Sequence, residues 1–306
     1  MQRDVLSVDD LSSEEVTRVL DLSQKVKAHP GDYGDALKGR SVALIFEKPS
    51  TRTRVSFELA VAATGGHAVT LSASELQLGR GETIEDTGRV LSRYVDAIVL
   101  RTFEQERLEV LARAASVPVI NALSDFEHPC QCLADLLTIR EVKGELAGRT
   151  LTFLGDGNNV AHSLLLGGAK TGMNVRVATP RGFEPIPLIV QRATEIASET
   201  RGSVLTTHEA REACAGADVL YTDVWASMGQ ESEASERALV FQAYQLDAEK
   251  VSLGRPDVTV LHCLPAHRGH EITAEVIDGP HSAVWDQAEN RLHTQKALLL
   301  WLLGAA

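Results

Sequence analysis

Short apolar runs alternate along this chain with longer segments in which apolar residues recur every three to four positions, and the alternation persists from residue 42 nearly to the C-terminus. The runs at 42–46, 67–71, 95–100 and 117–121 read as strands, being too short for helices and bounded by polar or turn residues. Helical spacing marks 84–94, 104–115 and the stretch after Pro49, where Val55, Leu59 and Ala62 fall on one face. A capped amphipathic helix precedes the series: Asp9 and Ser12/Ser13 stand before Val16, Val19, Leu20 and Leu22, and His29-Pro30-Gly31 ends it. Another opens at His128-Pro129, with proline at its favoured first position and Leu133, Leu136 and Leu137 on its apolar face, and runs to Lys143-Gly144. The pattern then restarts, with strands at 150–154, 174–178, 204–206, 219–221 and 258–261 and helices at 160–170, 186–199 and 287–303.

Strands buried on both faces and separated by helices predict an α/β fold, and the restart predicts two domains, each a parallel β-sheet flanked by helices. The expected boundaries are 1–144 plus a returning 288–306 for the first domain and 145–287 for the second, with the C-terminal helix packing back on the first. Ligands of such sheets sit at the carboxyl ends of the strands. Segments 50–54, Arg101, the stretch after Asn121, 155–159 and the stretch after Tyr221 all follow strand ends.

Composition narrows the ligand class. With 306 residues and 44% hydrophobic content the chain can bury two cores. A net charge of -12 sets up a field that repels nucleic acid and anionic membranes, so an anionic ligand needs a local basic pocket. No apolar run approaches the roughly 18 residues of a membrane span, and the first twenty residues lack a signal-like core, so a cytoplasmic protein is expected. Cys130, Cys132, Cys214 and Cys263 are too few and too irregular for a disulfide framework and are expected to be reduced.

One stretch supplies the basic pocket. In Phe46-Glu-Lys-Pro-Ser50-Thr51-Arg52-Thr53-Arg54 a strand feeds through proline into a helix whose first turn is cationic, against the helix dipole's preference for acidic residues there. The unpaired first-turn N–H groups, two guanidinium forks and three hydroxyls in five residues suit a tetrahedral dianion. Gly155-Asp-Gly157-Asn-Asn159 has two glycines of a dinucleotide fingerprint. Val160 stands where the third would be and no acid closes the next strand, so the asparagine amides suit an amino acid's charged groups better than a nicotinamide cofactor. Their other reading is turn formation, since Asn tolerates left-handed backbone. His262-Cys263-Leu264-Pro-Ala-His267-Arg-Gly-His270 matches no common zinc spacing, so no metal is expected and Cys263 reads as a strand-end thiol. Asp223-Val-Trp225-Ala-Ser227-Met228-Gly229 joins a carboxylate to a small-residue loop, a pattern suited to a substrate clamp with a lid.

Ser50-Thr-Arg-Thr-Arg54, His128-Pro-Cys-Gln131, Asp223-Val-Trp-Ala-Ser-Met-Gly229 and His262-Cys-Leu-Pro265 together resemble the ornithine carbamoyltransferases of the aspartate/ornithine carbamoyltransferase superfamily, over nearly the whole chain. The resemblance implies a first domain for carbamoyl phosphate, a second for L-ornithine, a homotrimer with sites at subunit boundaries, no cofactor, and transfer of the carbamoyl group to the δ-amine to give citrulline. By motif it implies that Ser50, Thr51, Arg52, Thr53 and Arg54 hold phosphate, with Gln77 reaching a neighbouring subunit's phosphate. Arg101, His128 and Gln131 surround the carbamoyl group; Asn159, Asp223, Ser227 and Met228 hold ornithine; Cys263, Leu264 and Arg291 lie beside the reacting centre. Two alternatives stay open on the residues: a carbamoyltransferase for another amine such as putrescine, and a phosphometabolite-binding regulatory protein.

Overall fold

The computed structural model describes residues 3–72, 81–226 and 234–306. It divides into two compact units, Met1–Leu137 with Glu289–Ala306, and Thr138–Ala288.

In the first unit Ser12 caps α1 (Ser13–Ala28), its hydroxyl accepting from Glu15 N while the Glu15 carboxylate accepts from Ser12 N, so that two of the unpaired first-turn donors are satisfied reciprocally. The βα series follows: β1 (Ser41–Phe46), α2 (Thr51–Ala62), β2 (His67–Ser72), α3 (Ile84–Leu91), β3 (Ala97–Arg101), α4 (Gln105–Ala114) and β4 (Val119–Leu123). All pairings are parallel and the spatial order is β2-β1-β3-β4. The chain winds outward from β1 to β2, then returns to place β3 on the other side of β1. The carboxyl ends of β1 and β3 therefore lie side by side at the point where winding reverses, which is where open sheets leave a crevice. Val42 through Phe46 is buried throughout, as a central strand covered on both faces requires.

Helix α2 departs from the periodicity. Its buried residues are Thr53, Ser56, Phe57, Ala60 and Val61, whereas Val55 and Leu59 are 45% and 52% exposed. Two apolar-containing stripes compete on this helix, and contact with β2 and β1 selects the one carrying Phe57.

The last-turn residues of α5 (Pro129–Lys143) lie in the second unit, as do β5 (Thr150–Leu154), α6 (Asn159–Lys170), β6 (Asn174–Ala178), α7 (Pro187–Thr200), β7 (Ser203–Thr207), α8 (Ala210–Cys214), β8 (Val219–Thr222), α9 (Ala234–Phe241), α10 (Ala248–Leu253), β9 (Thr259–His262) and α11 (Ala274–Ile277). The order β7-β6-β5-β8-β9 is again fully parallel and reverses between β5 and β8. Helix α12 (Val284–Leu302) carries the chain from the second unit into the first at residue 289. The four short helices α8 to α11 carry too few residues to show a period, which is why the apolar pattern does not reveal them. All four cysteines are free thiols; Cys130 and Cys214 are pushed up to about 12 by burial, so neither is a nucleophile at neutral pH. Among the described residues no helix is long and apolar enough to cross a membrane.

Candidate active site

Functional side chains gather at both reversal points, one cluster in each unit. In the first unit Ser50 sits extended before α2 and its hydroxyl accepts from Thr53 N at 3.3 Å, leaving the other first-turn N–H groups facing outward with the positive end of the helix dipole. Thr53 is buried, and its hydroxyl accepts from the Arg291 guanidinium at 3.1 Å. Arg291 also donates to Gln131 Oε1 at 2.5 Å, and Gln131 Nε2 donates to the buried Asp135 at 2.8 Å. A carboxylate only accepts, so Asp135 decides which way the Gln131 amide points and turns its oxygen toward Arg291.

Arg101 ends β3, buried, and His128 precedes α5, buried, its carbonyl accepting from Gln131 N and Cys132 N. The His128 imidazole is held well below its ordinary value of 6.5, by burial first and then by the positive charges of Arg291, Arg101 and Arg52. Burial and three guanidiniums thus act together on one ring and favour its neutral form. Arg54 is turned elsewhere, pairing with Glu58 one turn on at 3.3 Å, with Glu58 also accepting from Thr70. The loops after β1, β3 and β4 are locked together: Arg107 grips Glu47 with two donors, Glu47 N donates to the Arg101 carbonyl at 2.9 Å, and Lys48 pairs with Asp125 and lies 4.1 Å over the Phe103 ring. Placement of Arg101 is therefore enforced from two neighbouring loops.

In the second unit the cluster closes around Asp223, which follows β8 and is buried. Its Oδ2 accepts from Asn158 Nδ2 at 2.9 Å and its Oδ1 from the Cys263 thiol at 2.9 Å. Asn158 is held in turn, since its Oδ1 caps α6 by accepting from Val160 N and Ala161 N. Asn159 is the first residue of α6, half-buried; it is the preceding Asn158 that reaches Asp223. The two glycines of this turn serve different needs: Gly155 takes φ 136°, whereas a Cβ on Gly157 would lie 2.3 Å from Pro185 N and 2.5 Å from the Glu184 carbonyl carbon. Trp225 stacks on Phe241 at 6.0 Å, while Arg237 pairs with Asp156 at 2.7 Å and donates to the Trp225 carbonyl at 2.9 Å. The start of the loop after β8 is thereby anchored to α9. Ser227, Met228, Gly229 and the proposed lid beyond them, like Gln77, lie outside the described residues.

Cys263 and Leu264 follow β9. Leu264 has φ 58°, a left-handed conformation that costs a non-glycine residue of order 1–3 kcal/mol and persists only where surroundings enforce it. The enforcing contacts come from His262, whose Nδ1 accepts from Leu264 N at 2.9 Å, and Glu271, which lies 3.1 Å from His262 Nε2. Asp223, His262 and Cys263 bring one donor atom each within 4.8 Å of one another, but both His262 ring nitrogens are already engaged, so this trio is a hydrogen-bonded arrangement rather than a set of open ligands. Asp135 and Glu271 escape motif reasoning, and Asn158, read from the 155–159 turn only as one of two amides, gains its partner Asp223 from the structure. Each acts through a motif residue, and the only signals for them are short spacings, Asp135 one helical turn from Gln131 and Asn158 beside Asn159.

Two family models match the chain: the carbamoyl-P binding domain of aspartate/ornithine carbamoyltransferase over residues 3–141, and its Asp/Orn binding domain over 147–302. An ornithine carbamoyltransferase from Parafrankia sp. (strain EAN1pec) is 64% identical over 297 residues, covering 96% of this chain and 94% of the relative. One from Mycolicibacterium smegmatis is 57% identical, covering 99% of each. Among solved structures, ornithine carbamoyltransferase from Pyrococcus furiosus superposes with a TM-score of 0.96 at 53% identity, covering 99% of this chain and 97% of that one.

Proposed function

This chain belongs to the aspartate/ornithine carbamoyltransferase family, and from that premise we propose that it transfers the carbamoyl group of carbamoyl phosphate to the δ-amine of L-ornithine, giving L-citrulline and phosphate in arginine metabolism. The observation that carries the reading is the neutral, buried His128 in the combined field of Arg52, Arg101 and Arg291, beside the Ser50-capped end of α2. That constellation suits a reaction in which an anion binds, an oxyanion forms and an anion departs.

In this reading the first unit holds carbamoyl phosphate. Phosphate lies on the α2 terminus with Ser50, Thr51, Arg52 and Thr53, and Arg54 joins them by exchanging its Glu58 partner for the phosphate. The carbamoyl amide donates to Gln131 Oε1, whose direction Asp135 sets. The second unit holds ornithine through Asp223, Asn159, Ser227 and Met228. When the neutral δ-amine attacks the carbamoyl carbon, negative charge develops on the carbamoyl oxygen, and Arg101, His128 and Thr53 donate to it. As the bond between the carbamoyl carbon and the phosphate oxygen breaks, the departing phosphate takes the proton shed by the amine nitrogen and leaves already neutralised by Arg52 and the helix terminus, so positioning and electrostatics supply the rate without a covalent enzyme intermediate. Cys263, Leu264 and Arg291 border the reacting atoms. A homotrimer completes each site through Gln77 of a neighbouring subunit, and the protein acts in the cytoplasm without nucleic-acid or membrane partners.

Incubation with carbamoyl phosphate and a panel of ornithine, putrescine, lysine and aspartate tests the assignment. Ureido product from ornithine alone is expected, and equal product from putrescine would overturn the choice of amine. Mixing Arg52→Ala and Gln77→Ala proteins under subunit exchange should restore activity if sites are shared, and no recovery despite demonstrated exchange would remove the shared site.

A further inference from the structure

The Asp223 to Cys263 contact depends on where the loop after β9 puts the thiol, and that loop is governed from a buried carboxylate outside every motif. Glu271 lies beyond the loop, with 1% of its surface exposed. Its Oε1 accepts from His267 N at 2.5 Å and faces His262 Nε2 at 3.1 Å, while its Oε2 is 3.8 Å from His267 Nδ1. His262 is buried as well. The Leu264 N–H can only donate, so the His262 Nδ1 it meets at 2.9 Å must be the ring's acceptor nitrogen, and the ring proton must sit on Nε2, directed at Glu271. An imidazolium has no acceptor and the opposite tautomer would set two N–H groups against each other. The carboxylate thus selects the one tautomer that can hold Leu264. Burial alone would raise the Glu271 pKa, but the His262 ring and the His267 backbone N–H bring it below its ordinary value, so the acceptor is charged at neutral pH.

The Leu264 N–H belongs to the same rigid peptide plane as the Cys263 carbonyl. Fixing one end of that plane fixes the backbone angle that aims Cys263, whose thiol then donates to Asp223 at 2.9 Å. The preceding peptide is pinned too, His262 N donating to Gln287 Oε1 at 2.9 Å and Gln287 Nε2 to the Tyr221 hydroxyl at 3.0 Å. We propose that Glu271 and His262 are positioning residues for the amine half of the site: Glu271 fixes the His262 tautomer, His262 holds Leu264 in its left-handed conformation, and the Cys263 thiol is thereby aimed at Asp223. This rests on ornithine being the amine bound there, and it assigns neither residue a contact with substrate.

Steady-state kinetics on the full-length protein test it, with both substrates varied separately for wild type, E271A, E271Q, H262N and H262Q, beside 15N-edited NMR of the histidine rings. A misplacement of about an ångström can cost around a hundredfold, so E271A should lose between tenfold and a hundredfold in ornithine kcat/KM while its KM for carbamoyl phosphate stays within about twofold. E271Q retains an acceptor oxygen and should recover to within about threefold of wild type. Asn presents its oxygen where Nδ1 stood, whereas Gln reaches toward Glu271 but leaves the Leu264 N–H unmet, so H262N should exceed H262Q. The NMR should show a neutral His262 ring protonated at Nε2. Losses falling equally on both substrates, H262Q matching H262N, failure of E271Q to rescue, or a proton on Nδ1 would each overturn the proposal. Absence of citrulline from wild type would overturn the functional assignment instead, and the ring tautomer, read without turnover, would still decide the positioning.

Discussion

The two clusters occupy equivalent places, each at the strand ends where a parallel sheet reverses its winding, yet they are built on opposite principles. Around His128 the protein concentrates positive charge, with Arg52, Arg101 and Arg291 acting on a ring that burial first, and then those charges, keep neutral. Around Asp223 it builds a chain of directed hydrogen bonds, in which Asn158 is held by the helix it caps, Cys263 by its loop and His262 by Glu271. Recognition by charge, the mode proposed for the first arrangement, tolerates some freedom of geometry. The second depends on orientation, and a donor turned through a right angle is worth nothing. Damage to the first should therefore appear as lost binding and lost transition-state stabilisation, and damage to the second as misalignment confined to the amine substrate.

The largest effect is expected from Arg52→Ala. Removing one charge-assisted, bidentate partner of a phosphate dianion should cost roughly a hundredfold or more in kcat/KM. Arg52 is exposed, so its melting temperature should stay within a degree or two of wild type. Arg52→Lys should recover little of the activity, since an ammonium cannot reproduce the guanidinium fork. A loss smaller than tenfold in steady-state kinetics would take Arg52 out of the site. Next in size is Asp223→Asn, which places an amide where the thiol and Asn158 both need an acceptor. About a fiftyfold fall in kcat/KM for ornithine is expected from a site left with unmet donors, with carbamoyl phosphate binding, measured by calorimetry, unchanged.

Asp135→Asn sharpens the contrast inside the first cluster. Without an obligate acceptor beside it, Gln131 can turn its amide over and present nitrogen to Arg291, so a loss of about threefold to tenfold in kcat is expected. Asp135→Ala should cost more, because Gln131 Nε2 is then left buried and unmet. The smallest effect concerns stability against pH. The folded pKa of His128 lies well below its ordinary 6.5, so below pH 6.5 the unfolded chain takes up a proton that the folded chain refuses. The stabilisation is fully present above 6.5 and is lost as pH falls toward the folded value. Thermal melts of wild type and His128→Gln should accordingly converge as the pH is lowered from about 7.5 to about 5.5, wild type losing the larger share. Parallel curves would mean that His128 is not held neutral by its burial and its charged neighbours.

Most of the architecture is legible along the chain because helix and strand periods are local properties. The strands 42–46, 150–154 and 174–178 and the helix opening at Pro129 lie within a residue of where patterning puts them, and the turns around them carry their own Gly, Pro and cap signals. The chemistry of the first site is legible for the same reason. A cationic first turn at 50–54 is anomalous against the helix dipole and announces an anion wherever it is read. Legibility stops at the buried face of α2, where two stripes of similar hydrophobicity compete and only packing on β1 and β2 settles which one is covered. It stops again at Asp135 and Glu271, whose side chains say nothing about function until their partners are known.

What the sequence determined by itself was the strands and the longer helices, their two-fold restart and the residues with unusual local chemistry, since each is fixed within a few positions along the backbone. Only tertiary structure decided which strands became neighbours, and so which loop ends met. The order β2-β1-β3-β4 brings Arg101 beside Phe46, at the end of the strand that leads to Ser50, and β7-β6-β5-β8-β9 brings Asp223 beside Asn158, across separations of 55 and 65 residues. Those meetings depend on the winding of a whole sheet, a free-energy minimum over every strand pairing at once, and no window of sequence contains it.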